Sequence, residues 1–136
     1  MIAVDTNVVV RFLVGDDPVQ ARLAKTLFAA SRVAVPHTVL LETEWVLRRR
    51  YRFAREQIAT AFGDLLGMGT VSCLDDEAVR IAVDAFAQGC DFADAMHAAT
   101  AGPATSAFAT FDKVFARQAR DMKHLPPIRL LDQDHP

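Results

Sequence analysis

Cysteine is scarce in this 136-residue chain, with Cys73 and Cys90 the two present. Two thiols do not make a disulfide scaffold, and without a Cys-x-x-Cys spacing they do not make a zinc site either. Positive charge is not in excess, because 15 Lys and Arg meet 17 Asp and Glu for a formal net charge of −2. Bulk charge therefore does not announce a nucleic-acid binder. No apolar run approaches the roughly 18 residues that span a bilayer. The opening Met1-Ile2-Ala3-Val4-Asp5 has no basic stretch ahead of an apolar one, unlike a signal peptide. These absences lead to the expectation of a cytoplasmic protein with reduced thiols and no membrane attachment. What is plentiful is apolar side chain, 51% of residues, which suits either a dense core or extra surface covered by a partner.

Short apolar runs alternate with helical segments. Ile2–Val4 reads as a brief buried strand, and Asp5-Thr6-Asn7 carries cap and turn chemistry. Asp16-Asp17-Pro18 restarts a helix, with Pro18 near its first position. Strands are expected at Val33–Val35, Val71–Leu74, Ala107–Thr110 and Ile128–Leu130. Helices are expected over His37–Arg50, Arg55–Leu66, Asp75–Phe86, Asp91–Ala99 and Asp112–Arg120. The alternation predicts an α/β domain with a mainly parallel sheet covered on both faces, and no repeat or linker divides the span 1–136.

In such sheets ligands collect beyond the carboxyl ends of the strands, and two acids fall at strand ends. Asp5 follows the first strand and Asp112 follows the fourth after one phenylalanine. Each also has a capping explanation, since Asp is a preferred N-cap. The helix from His37 adds two glutamates. Glu44 has Arg48 four residues on, which reads as an exposed ion pair. Glu42 has Val39, Trp45 and Val46 at helical spacing and no opposite charge, which places it on an apolar stripe. A carboxylate there needs an arginine from elsewhere or a cation. In Asp91-Phe92-Ala93-Asp94, Asp91 reads mainly as the N-cap, and Asp94, one turn in, reads as the functional acid of the two.

Gathered in one pocket, Asp5, Glu42, Asp94 and Asp112 would raise one another's pKa unless something neutralised them. Oxygen-only ligands suit Mg²⁺ or Mn²⁺, and the chemistry such a site supports is phosphodiester hydrolysis.

These residues also match a known pattern. Val4-Asp5-Thr6-Asn7 resembles the opening of PIN domains, and Leu41-Glu42-Thr43-Glu44-Trp45-Val46-Leu47 resembles their second acidic motif. Asp91 to Ala99 and Thr110-Phe111-Asp112-Lys113 resemble the third and fourth. All four stand in order over nearly the whole chain, and the size and the Glu-x-x-Trp-x-Leu form resemble VapC toxins of type II toxin–antitoxin pairs. The resemblance implies a PIN-like three-layer fold and a ribonuclease using Mg²⁺ or Mn²⁺. It implies Asp5, Glu42, Asp94 and Asp112 as the acidic site, Thr6, Asn7 and Thr110 as auxiliary polar groups, and Asp91 beside them. It implies an RNA substrate, a homodimer and a VapB-like antitoxin that covers the site.

Arg48, Arg49, Arg50, Arg52 and Arg55 concentrate charge after one helix. They read either as a solvated face complementing the helix dipole or as an RNA or antitoxin contact. Arg11, Lys113, Arg117 and Arg120 are candidates to extend that contact. His97 reads as a packed polar group rather than a general base. Of nine phenylalanines, Phe12, Phe53, Phe62 and Phe111 are the ones whose exposure is worth knowing. Two alternatives stand beside the nuclease. A phosphoacceptor signalling module needs an adjacent acidic pair after the first strand and a lysine after the last, whereas this chain has Asp5-Thr6-Asn7 and Asp132. A catalytically inactive PIN-like binding module is the other, and the presence of all four acids argues against it.

Overall fold

In a computed structural model, which describes residues 1–134, β1 (Ile2–Ala3) hands the chain directly to α1 (Thr6–Val14) through Asp5. His135 and Pro136, the last two residues of the expected 1–136 domain, lie outside the described residues. The chain divides into two compact units, Met1–Asp76 and the remainder from Glu77.

In the first unit, α1 is followed by α2 (Pro18–Ala30), β2 (Val33–Ala34), α3 (His37–Arg49), α4 (Arg55–Gly67) and β3 (Val71–Ser72). The strands pair in parallel in the order β1-β2-β3, with Ile2 opposite Val33 and Val33 opposite Val71. Parallel neighbours need a crossover between them, and the helices supply it. Local chemistry sets the helix ends. Asp5 is extended, and its carboxylate accepts from Val8 N–H at 3.1 Å, while Gly15 closes α1 at φ +72°. A left-handed residue at that place costs glycine little because it has no Cβ. Asp17 caps α2 by accepting from Gln20 N–H at 3.1 Å, with Pro18 as its first residue. Val9 and Val10 of α1 are buried, as are Ala21, Ala24 and Phe28 of α2. Phe12 stacks on Phe28 with ring centroids 4.1 Å apart. Ile58, Phe62, Leu65 and Leu66 form the buried face of α4. Each fully buried Phe or Leu of this kind stabilises by roughly 1.5–3 kcal/mol in transfer terms. The first strand departs from expectation: Ile2 and Ala3 are exposed and only Val4 is buried. β1 ends the strand order, so the burial falls at the middle strand, where Val33 and, just past its end, Val35 are fully covered.

The second unit contains all but the first residue of α5 (Asp76–Ala87), with α6 (Phe92–Ala101), β4 (Phe108–Thr110), α7 (Lys113–Ala119) and β5 (Ile128–Leu130). β4 and β5 pair in parallel, Phe108 opposite Ile128 and Thr110 opposite Leu130. Its core holds Val79, Ala82, Phe86, Phe92, Met96 and Phe115. Phe86 meets Phe92 edge-on at 5.3 Å, and Phe108 meets Phe115 at 6.1 Å. Asp91 and Asp112 cap α6 and α7 by accepting from Asp94 N–H (3.0 Å) and Phe115 N–H (2.9 Å). The architecture is α/β, as the alternation of runs predicts. Among the described residues, no helix is long and apolar enough to cross a membrane.

Candidate active site

The first unit carries Asp5, Thr6, Asn7 and Glu42. Parallel pairing ends at Ala3, so Asp5 stands just past the carboxyl end of β1 and caps the helix that follows. The next residue, Thr6, is buried, and its hydroxyl donates to Oε1 of Glu42 on α3. Asp5 and Asn7 are exposed on either side of it. A cavity of about 360 Å³ opens beside them, lined by Asp5, Asn7, Arg11, Gln20, Leu23 and Leu27 among others.

Two glutamates exchange the environments that helical spacing suggested. Glu44 is buried and Glu42 is exposed. The inward face of α3 is Leu40, Thr43, Glu44 and Leu47, a full i, i+3, i+4, i+7 set. Val39, Trp45 and Val46 lie off that face, and Trp45 is half exposed. The buried Glu44 carboxylate is satisfied by Arg48, whose Nε donates at 2.7 Å, so the pair exists but is not a surface one. Glu42 meets a threonine hydroxyl rather than an arginine or an apolar stripe.

The second unit carries Asp91, Asp94, Thr110 and Asp112. Asp91 is exposed and caps α6, as its position at the helix start suggests. Asp94 is half-buried one turn in, and its carboxyl is held above the ordinary value. Burial is the main cause, followed by the negative charges of Asp91 and Asp112, with His97 opposing them. Thr110 fixes the approach to Asp112, its Oγ1 accepting from Asp112 N–H at 3.0 Å. His97 is exposed, not packed, because Phe92, Ala95, Met96 and Ala98 take the inward positions of α6.

Among the described residues, none of Asp5, Glu42, Asp94 and Asp112 forms an ion pair with lysine or arginine. Nor do three His, Cys, Asp or Glu side chains gather as a metal-holding group there.

The arginines divide. Arg48, Arg49, Arg50 and Arg52 are exposed, with Arg48 bound to Glu44 and Arg52 at φ +54°. Arg11, a candidate for the same basic rim, is engaged elsewhere. It donates to Asp16 at 3.0 Å, to the Tyr51 hydroxyl at 3.2 Å and to Gln20 at 2.7 Å. Tyr51 closes the network by donating to Asp16 at 2.8 Å. This knot joins residues up to 40 positions apart, and no local pattern in the sequence marks it. The same holds for Gln20, Leu23 and Leu27 beside Asp5.

The PIN domain model matches residues 2–121 of the chain, and the chain belongs to that family. Comparison with curated proteins and with solved structures finds no match. PIN domains are typically metal-dependent nucleases and typically use Mg²⁺ or Mn²⁺.

Proposed function

We propose that this PIN-domain protein is a Mg²⁺- or Mn²⁺-dependent endoribonuclease, the toxin of a VapBC-type pair, with Asp5, Glu42, Asp94 and Asp112 as its acidic site. The observation that carries the reading is the absence of a lysine or arginine partner for any of the four among the described residues. Carboxylates left without basic partners suit a cation, and an all-oxygen donor set suits a hard one. Mg²⁺ asks little of the protein, being held by one or two carboxylates while waters and substrate phosphates complete its shell.

The bound ion would supply Lewis-acid charge at the scissile phosphate and a more acidic water. The chain's own contribution is positioning. Thr6 holds one oxygen of Glu42 and leaves the other for a ligand. The Asp112 oxygen that accepts from Phe115 N–H fixes that carboxyl against the helix start. Asn7 and Thr110 are auxiliary polar groups for the phosphate, with Asp91 beside them, and Arg48, Arg49, Arg50 and Arg52 offer contacts to RNA or to an acidic partner.

A VapB-like antitoxin and a homodimer belong to the same reading. Val19 and Leu23 of α2 are exposed apolar side chains, and Leu23 lines the cavity that reaches Asp5 and Asn7. An amphipathic segment laid there would cover apolar surface and block Asp5 at the same time.

The test is cleavage of total RNA by purified protein with Mg²⁺ or Mn²⁺, beside EDTA and Asp94→Asn. Cleavage abolished in both controls is the expected result. If the wild type cuts nothing, or Asp94→Asn cuts equally well, the nuclease assignment fails and a binding role replaces it.

A further inference from the structure

Phe111 is 79% exposed, while Phe28, Phe62, Phe92 and Phe115 are covered to within a few per cent. Its place is fixed rather than incidental. It lies between Thr110, whose hydroxyl accepts from Asp112 N–H, and Asp112, whose carboxylate accepts from Phe115 N–H. Those two bonds hold the turn on which the ring stands. The buried aromatic of the segment is Phe115, which packs against Phe108, so Phe111 has no part in the core. Three basic residues follow, Lys113 and Arg117 on the short helix and Arg120 at its C-cap, all exposed.

We propose that Phe111 is a stacking platform for an unpaired base of single-stranded RNA, setting which nucleotide lies against Asp112. This rests on the nuclease reading above and adds a substrate-positioning residue to it. An aromatic face beside a line of cations is how proteins hold single strands, the ring taking the base and the cations the phosphates. Duplex RNA has no free base face to offer, so the platform selects unpaired segments. A contact with a second copy of the chain is the competing explanation for exposed apolar surface, and Val114 is half exposed nearby. The charged surroundings favour RNA, since the centres of protein interfaces are depleted in charge.

The experiment measures affinity for a single-stranded mixed-sequence oligoribonucleotide and for its duplex, with Phe111→Ala, Phe111→Leu and Phe111→Trp. Each is made in the Asp94→Asn background so that no probe is cut. Losing one stacked base predicts affinity weaker by about 5- to 150-fold for Phe111→Ala. Phe111→Leu, equally apolar but without a ring face, falls with it. Phe111→Trp restores single-strand binding, and its indole emission is quenched by the bound base. Duplex affinity changes little in any of them. The proposal is overturned if Phe111→Leu binds as well as Phe111, or if single-strand and duplex affinities fall alike. It is also overturned if sedimentation shows that the Ala and Leu variants lose RNA only by splitting a dimer. Failure of wild-type cleavage tells against the nuclease reading alone, because the binding arms do not depend on it.

Discussion

The Thr6 hydroxyl donates a hydrogen bond to the Glu42 carboxylate, joining the β1–α1 junction to α3 across 36 positions of sequence. Glu42 is exposed and lacks a cationic partner among the described residues, so Thr6 is the group that sets its direction. Groups that orient a ligand to a metal are typically worth about 10- to 100-fold in metal affinity or activity. Thr6→Val, which keeps the shape and removes the donor, is expected to lower cleavage by about that factor. Stability should fall by only about 1 kcal/mol, because the carboxylate left behind is still in water. Thr6→Ser should recover most of the rate. Cleavage assays beside urea denaturation decide it: an equal loss in Thr6→Ser and Thr6→Val would remove the hydrogen bond from the explanation.

Glu42 and Glu44 separate activity from stability. Glu44 is buried and bound to Arg48 at 2.7 Å, and Arg48 is itself half exposed. Glu44→Ala removes a packed side chain and leaves the guanidinium without this partner, a change expected to cost about 2 kcal/mol of stability. Its metal affinity should hardly change. Glu42→Gln should do the reverse, leaving the melting temperature within about 2 °C and reducing cleavage by about 100-fold or more. Metal titration and thermal melts of both variants check this, and matching profiles for the two would refute the division.

The same two residues show what the sequence made legible. Capping is local chemistry, so Asp5, Asp17, Asp91 and Asp112 could be placed at helix starts from their neighbours alone. The strand–helix alternation carried the fold class for a similar reason, since period and length are local signals. Which face of α3 turns inward is decided by what packs against it. Val39, Trp45 and Val46 made a plausible stripe around Glu42, yet Leu40 and Leu47 are the fully buried pair. The Arg11–Asp16–Tyr51 knot was invisible for the same reason, because its tyrosine comes from just past the end of α3. The acids of the candidate site were chosen through motif order, whereas the partners of Glu42 and Glu44 required the fold.

The knot has a pH signature. The Asp16 carboxyl is held below its ordinary value, first by the Tyr51 hydroxyl and then by the Arg11 charge. A lowered carboxylate pKa contributes stability that is present above the unfolded value of 3.8 and lost as pH falls through the folded one. Tyr51→Phe removes the larger cause. The variant is expected to lose less stability than the wild type on acidification below about pH 4, and to be modestly weaker above it. The knot is partly open to solvent, so the difference should be small. Denaturant midpoints measured on either side of that pH settle the sign, and parallel curves would show that Tyr51 does not tune Asp16.

Asp94 works in the opposite sense. Its carboxyl is raised by burial and by the charges of Asp91 and Asp112, so the folded chain holds a proton that the unfolded chain releases sooner. That contribution is fully present below the unfolded value of 3.8, falls as pH rises through the folded one, and stays absent at neutrality. Without metal, the ionised Asp94 therefore works against the fold. Asp94→Asn relieves the repulsion while keeping the shape, and is expected to raise the melting temperature of the metal-free protein at neutral pH. Functional sites are where such a conflict is retained, because a charge that strains an empty site is one that a cation would relieve. Adding Mn²⁺ should stabilise the wild type in proportion to the logarithm of its concentration above the dissociation constant and leave Asp94→Asn much less affected. The variant that melts higher without metal would then melt relatively lower with it, and would not cut RNA. Calorimetric scans of both proteins with EDTA and with excess Mn²⁺ read this crossing directly. Asp94→Asn melting below the wild type in EDTA would mean that Asp94 supports the fold, and its raised pKa would then say nothing about a cation.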